Sequence, residues 1–180
     1  NTLDETIYFG WEMAAGLGFE ILGKKPELFK SYLLSSPTFL TADREKALNK
    51  ILVEKKLSKQ RIYSVLGHKE NWAIQSMKRI DSIFKKHSSA GTKWKFNLSK
   101  TDNHHTTPLT IINEGLKIFF NDYKPLRFYT INEFEKFGGI TSLKKHYQNR
   151  GKRYQISKEI HEDTKHFLLL ESMRENNFSL

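Results

Sequence analysis

The period of the apolar positions changes along the chain, and the changes divide it. Residues 6–9 (Thr-Ile-Tyr-Phe) form a short run that is apolar on both faces. Gly10-Trp11-Glu12-Met13-Ala14-Ala15-Gly16 follows at once, and then Leu17, Phe19, Ile21 and Leu22 leave little polar surface. This pattern predicts a strand buried inside a parallel sheet, with neighbours on both sides, feeding a buried helix over 12–22 that Gly23 and Pro26 terminate. Residues 29–35 read as a second strand, closed by Ser36-Pro37 because proline cannot donate to a ladder. Asp43 is the expected N-cap of a helix through Lys56, whose Ala47, Leu48, Ile51 and Leu52 recur at helical spacing. Residues 61–67, β-branched and ending in Gly67, are the third strand. The segment 72–86 then sets Ile74, Met77, Ile80, Ile83 and Phe84 on one helical face. Residues 93–98 alternate Trp94, Phe96 and Leu98 with polar residues, as does a strand with one wetter face near a sheet edge. Thr107 as N-cap and Pro108 in the first turn open a helix with Leu109, Ile112, Leu116, Phe119 and Phe120 expected inward.

Four rounds of strand then helix imply an α/β fold with a parallel sheet and flanking helices. Beyond Tyr123-Lys124-Pro125 the period of two stops. Residues 133–137, 143–154 and 158–173 are expected helices, separated by Gly138-Gly139 and Gly151. The expected organisation is therefore an α/β domain over 1–125 and a small α-helical appendage over 126–180. Pairs of short helices begin many repeat arrays, although one pair establishes no period.

In an open parallel sheet, function collects beyond the carboxyl ends of the strands. The residues there are Glu12, Ser35-Ser36, His68-Lys69-Glu70 and His104-His105. Gly10-Trp11-Glu12-Met13-Ala14 has the layout of a nucleophile elbow, the sharp strand-to-helix turn written G-x-S-x-G, with Glu12 in the Ser position and Ala14 in that of the second Gly. An ordinary turn whose Gly10 merely ends a strand has the same spacing. A tip residue, then an acid, then an imidazole is the chain order of the α/β-hydrolase triad. Other readings of these residues are an exposed loop for His104, a charge favoured by a helix N-terminus for Glu70, and His105 in place of His104 as the base.

Together these segments resemble the bacterial esterases of the α/β-hydrolase superfamily, the siderophore-esterase-like group, some of which carry tetratricopeptide repeats after the hydrolase domain. The resemblance covers about residues 5–140. It rests on the elbow segment 9–16, on Pro26-Glu27-Leu28-Phe29 through Ser35-Ser36-Pro37, and on the strand 63–70 bearing the acid. His104-His105-Thr106-Thr107-Pro108 with Glu114-Gly115-Leu116-Lys117 completes it. The resemblance implies the second half of an α/β-hydrolase domain, with His104 as general base and Glu70 as the acid that holds its tautomer.

Two departures matter. Glu12 stands where the family has Ser, which closes an acyl-serine route and implies a catalytically impaired, serine-esterase-like domain. The early strands of the fold are absent too, along with one of the oxyanion-hole amides. We expect the natural chain to be longer at its N-terminus, with that half, or a partner chain, covering the strand at 6–9, whose free edge is otherwise an association liability. The competing expectations are hydrolysis through Glu12, a non-catalytic module binding an ester-like or acyl ligand, and a protein-interaction module worked by the helical tail.

Composition narrows this further. The 180 residues hold no Cys, which removes disulfides, thiolate metal sites and Cys nucleophiles together. His68, His104 and His105 lack a ligand spacing, so no metal or other cofactor is expected. A net charge of +10 invites an anionic partner, but the basic residues are scattered and show no reader motif, so nucleic acid ranks last. No apolar run is long enough for a membrane span. The compartment stays open between bacterial cytoplasm and periplasm.

Overall fold

The computed structural model describes residues 5–57 and 59–177. The chain divides into two compact units, one through Phe119 and one from Phe120.

The first unit contains a four-stranded parallel sheet in the order β1-β2-β3-β4: β1 (Ile7–Trp11), β2 (Ser31–Ser35), β3 (Arg61–Gly67) and β4 (Lys93–Ser99). The crossovers are α1 (Met13–Lys24), α2 (Ala42–Val53) and α3 (Asn71–His87), and α4 (Thr107–Phe119) follows β4. Strands added in sequence order by crossovers of one hand carry all their helices to one face. The register shows that face: Tyr8, Tyr32, Ile62 and Trp94 share one row, and they pack with Ala15, Phe19, Leu22, Leu48, Met77 and Phe84 in a single core. Phe84 stacks on Trp94 with ring centroids 4.1 Å apart.

On the opposite face α4 packs against β2 and β3. It comes so close that a Cβ on Gly115 would lie 2.2 Å from Leu33 Cδ2, and the Tyr63 hydroxyl donates to Glu114. This contact corrects the expected face of α4. Ile111, Gly115 and Phe119 are buried, while Leu109, Ile112 and Leu116 are exposed and Phe120 lies past the helix end. The sequence carries two apolar stripes there, and the glycine, not the bulkier stripe, marks the packed side. Thr107 is the first helical residue rather than the cap.

Other boundaries shift by similar physics. The first strand runs on to Trp11, two residues beyond Phe9. Phe29 and Lys30 lie ahead of β2, following a single 3-10 turn at Pro26–Leu28. Thr41, whose hydroxyl accepts from the Arg44 N–H, caps α2 in place of Asp43, which sits in the first turn. The helix expected to be buried nearly all round is amphipathic: Met13 and Leu17 of α1 are exposed. The strand expected to have neighbours on both sides pairs only with β2 among the described residues, leaving Phe9 and Trp11 exposed.

The second unit is helical: α5 (Ile131–Phe137), α6 (Gly139–Tyr154) and α7 (Glu162–Arg174). Phe128, Phe134, Leu143, Tyr147 and Leu168 form its core. α6 begins four residues earlier than expected and α7 begins four residues later. Gly151 does not separate helices: it lies buried within α6, and the helix ends at Gln155 with φ 56°. No helix among the described residues is long and apolar enough to cross a membrane.

Candidate active site

The turn after β1 is built around one strained residue. Glu12 has φ 53° and ψ −117°, a conformation that costs a non-glycine residue about 1–3 kcal/mol and persists only where the surroundings over-determine it. They do so here. The Glu12 N–H donates to Ser35 O at 3.1 Å, and its carbonyl accepts from the Gly16 and Thr38 N–H groups at 3.0 and 3.1 Å. The turn is tight enough that a Cβ at position 10 would sit 2.6 Å from the Ala14 carbonyl carbon, so only glycine fits. On the helical side the closest approach is at Gly16, where a Cβ would meet Thr38 O at 2.1 Å, rather than at Ala14. The conformation and the glycine are those of an elbow and not of a simple strand end. The side chain at its tip is 44% exposed. Met13 follows as the first residue of α1, so its N–H has no helical carbonyl to bond.

Glu70, beyond β3, is 1% exposed. It occupies the N-cap of α3 but makes no capping hydrogen bond. Its Oε2 accepts instead from the Gly67 N–H at 2.5 Å and the Ser36 hydroxyl at 2.8 Å. Ser36 Oγ lies 2.6 Å from Thr107 Oγ1, which is also 3.1 Å from the His104 carbonyl. Since the Ser36 proton goes to the carboxylate, Thr107 donates to Ser36 at the shorter distance. Ser36 was expected at the functional end of β2 and Thr107 at the start of α4, but their joint support of Glu70 was not foreseen, because two hydroxyls 71 residues apart leave no sequence signal of their pairing.

His104 stands between the two carboxylates. Nδ1 is 2.6 Å from Glu70 Oε1 and Nε2 is 2.5 Å from Glu12 Oε1. Both contacts are hydrogen bonds only if each pair carries a proton, and an imidazolium supplies both. Burial works against that charge, but hydrogen bonds and attraction from Glu70 and Glu12 outweigh it, and the His104 pKa is raised. The loop before α4 holds the ring in place. Asp102 accepts from the hydroxyls of Ser99, Thr106 and Thr110 at 2.5, 3.0 and 2.9 Å. Burial alone would push the Asp102 carboxyl up, but these hydroxyls hold it below the ordinary range. Trp11 Nε1 donates to the His104 carbonyl at 3.1 Å, and the Trp11 and Trp72 rings lie 5.2 and 5.7 Å from the imidazole.

The structure thus brings Glu12, His104 and Glu70 together. His105 points elsewhere: its ring is exposed, 5.3 Å from that of His104 and 6.2 Å from that of Trp11. His68 joins no cluster, and no group of three or more His, Cys, Asp or Glu side chains among the described residues is arranged to hold a metal ion.

No family model matches the chain, and no curated protein matches it in sequence. Its fold is similar to that of three solved structures. One is an IroE-like serine hydrolase from Shewanella oneidensis, at 12% identity and TM-score 0.65, over 96% of this chain and 55% of that one. Another is an uncharacterised protein from Capnocytophaga ochracea, at 14% identity and TM-score 0.67, over 97% and 49%. The third is the BES protein from Bacillus cereus, at 19% identity and TM-score 0.53, over 62% and 43%. The chain therefore shares the α/β fold of these neighbours and spans about half of their length.

Proposed function

We propose that this is a serine-esterase-like domain of the carboxylic-ester hydrolase type that is switched off at its nucleophile position. The observation that carries the reading is the 2.5 Å contact between His104 Nε2 and Glu12 Oε1. The nitrogen that would take a nucleophile's proton is bonded to a carboxylate, which has no proton to give and repels an incoming ester oxygen. In this reading His104 is the base, Glu70 the acid that orients it, and the Met13 N–H one oxyanion donor. The domain binds an ester-like or acyl ligand without turning it over.

The outer edge of β1, which pairs with no strand among the described residues and has Phe9 and Trp11 exposed beside it, supports coverage by the N-terminal half of a hydrolase domain or by a partner chain. The same cover would supply a second oxyanion donor. In the same reading the resemblance supports siderophore-type esters as ligands, a bacterial setting and a helical-repeat character for the tail. A second reading, a protein-binding module worked by the helical tail, draws on exposed Ile140, Leu169 and Met173.

Hydrolysis of a short-chain nitrophenyl ester by the full-length protein, beside its Glu12→Ser and His104→Ala variants, tests the first reading. The expected outcome is a silent parent and a Glu12→Ser variant that turns over only while His104 is present. Parent activity that His104→Ala abolishes would sink it.

A further inference from the structure

One face of α1 leads away from the elbow. Met13, Leu17, Glu20 and Lys24 recur at spacings of four, three and four and so line one side of the helix, over roughly 16 Å at 1.5 Å per residue. Between this face and the start of α2 lies an open groove of about 790 Å³, a volume in the range of small-molecule sites. Met13, Leu17 and Phe39 line it, and they are 64, 45 and 64% exposed.

Phe39 holds its place at a cost. Its φ is 54°, a left-handed conformation that is a genuine outlier for a bulky side chain. The Arg44 guanidinium fixes it, donating through Nη1 to the Phe39 carbonyl at 2.8 Å and through Nε and Nη2 to Glu20 at 3.0 and 2.6 Å. Thr38, the preceding residue, bonds the Glu12 carbonyl, so this strained loop is tied to the elbow itself. Backbone strain kept at such a place points to a use for the presented ring. The charges along the groove favour an uncharged occupant, because its two acids, Glu20 and Asp43, balance its two bases, Lys24 and Arg44, and Glu20 is paired with both bases.

We infer that the groove lined by Met13, Leu17 and Phe39 binds the uncharged hydrocarbon chain of an acyl ligand whose carbonyl end lies at the elbow. Naming the chain an acyl chain rests on the ester-type reading above, but its binding does not require turnover. The test is NMR titration of the labelled protein with butanamide, hexanamide and octanamide, neutral amides that share an acyl chain and lack an ester bond.

Affinity is expected to rise about three- to fourfold per methylene, with shifts centred on residues 13–24 and 39–47. Leu17→Glu should abolish that dependence. Phe39→Asn should do so too without lowering the melting temperature, because Asn tolerates positive φ. Leu109→Glu, on α4, should leave it unchanged. Affinity independent of chain length, length dependence that survives both groove variants, or groove shifts that follow protein concentration and so report a second copy would each overturn the inference. A silent Glu12→Ser enzyme with intact, length-dependent amide binding would remove the hydrolase reading and leave the groove. Esterase gain without such binding would do the reverse.

Discussion

Two carboxylates reach the same imidazole from opposite sides, and the chain treats them differently. Glu70 is buried, and its second oxygen is held by the Gly67 N–H and the Ser36 hydroxyl. Glu12 is nearly half exposed and is fixed through its backbone: the strain at φ 53° aims the side chain, and the contact recorded for its carboxylate is with His104. A buried acid supported by hydroxyls and an amide is part of the packed interior, whereas a side chain on a strained tip can be exchanged with little effect on what surrounds it. Replacing the tip residue while keeping the support is therefore a small change structurally and a large one chemically.

The largest expected effect comes from the buried side. Glu70→Ala strips the Gly67 N–H and Ser36 hydroxyl of their acceptor and leaves His104 without its inner partner. Removing one member of a buried hydrogen-bonded pair costs about 3 kcal/mol, so urea unfolding should show a loss of that size. A loss under about 1 kcal/mol would mean that water replaces the carboxylate easily, and the contrast between the two sides would collapse. Glu12→Ala is expected to cost less than about 1 kcal/mol, since the Glu12 side chain is 44% exposed, water can solvate the outer side of its ion pair, and the backbone strain is unchanged. Equal losses in the two variants would show that the tip carboxylate is structural.

Much of the sheet was legible because the chain alternates short apolar strands with helical stripes, and β3 begins and ends where its pattern does. The elbow was legible through Gly10 and the small residues after Glu12, and the positions of Glu70 and His104 followed from their places beyond β3 and β4. Convergence of those side chains on one point was not legible, because it depends on how far each loop carries its residue past the sheet. The choice between His104 and His105 depends on one step of backbone before α4, fixed by Asp102 and its three hydroxyl partners. The packed face of α4 turns on Gly115 meeting Leu33, a tertiary contact between residues 82 positions apart. The positive φ of Phe39 leaves no trace in composition or periodicity, so the groove beside α1 was invisible until the fold was in hand.

The smallest effect is a slope against pH, and it separates the two carboxylates most directly. The raised pKa of His104 means that above about pH 6.5, where an unfolded imidazole loses its proton, the folded protein still holds one. The folded state then binds more protons than the unfolded state, so unfolding free energy falls as pH rises through the folded pKa. Stability from this site is fully present below the unfolded value. His146 works in the opposite sense: burial lowers its pKa despite nearby Asp122, and stability from it is gained as pH rises toward the unfolded value. The slopes of variants at the site must therefore be compared with the parent's, so that His146 cancels. Glu12→Ser removes one of the groups that raise the pKa, so its downward slope should end at a lower pH than the parent's, and His104→Ala should abolish this contribution. Parent and Glu12→Ser curves that superimpose between pH 6 and 9 would mean that Glu70 alone holds the proton and that Glu12 does not share it.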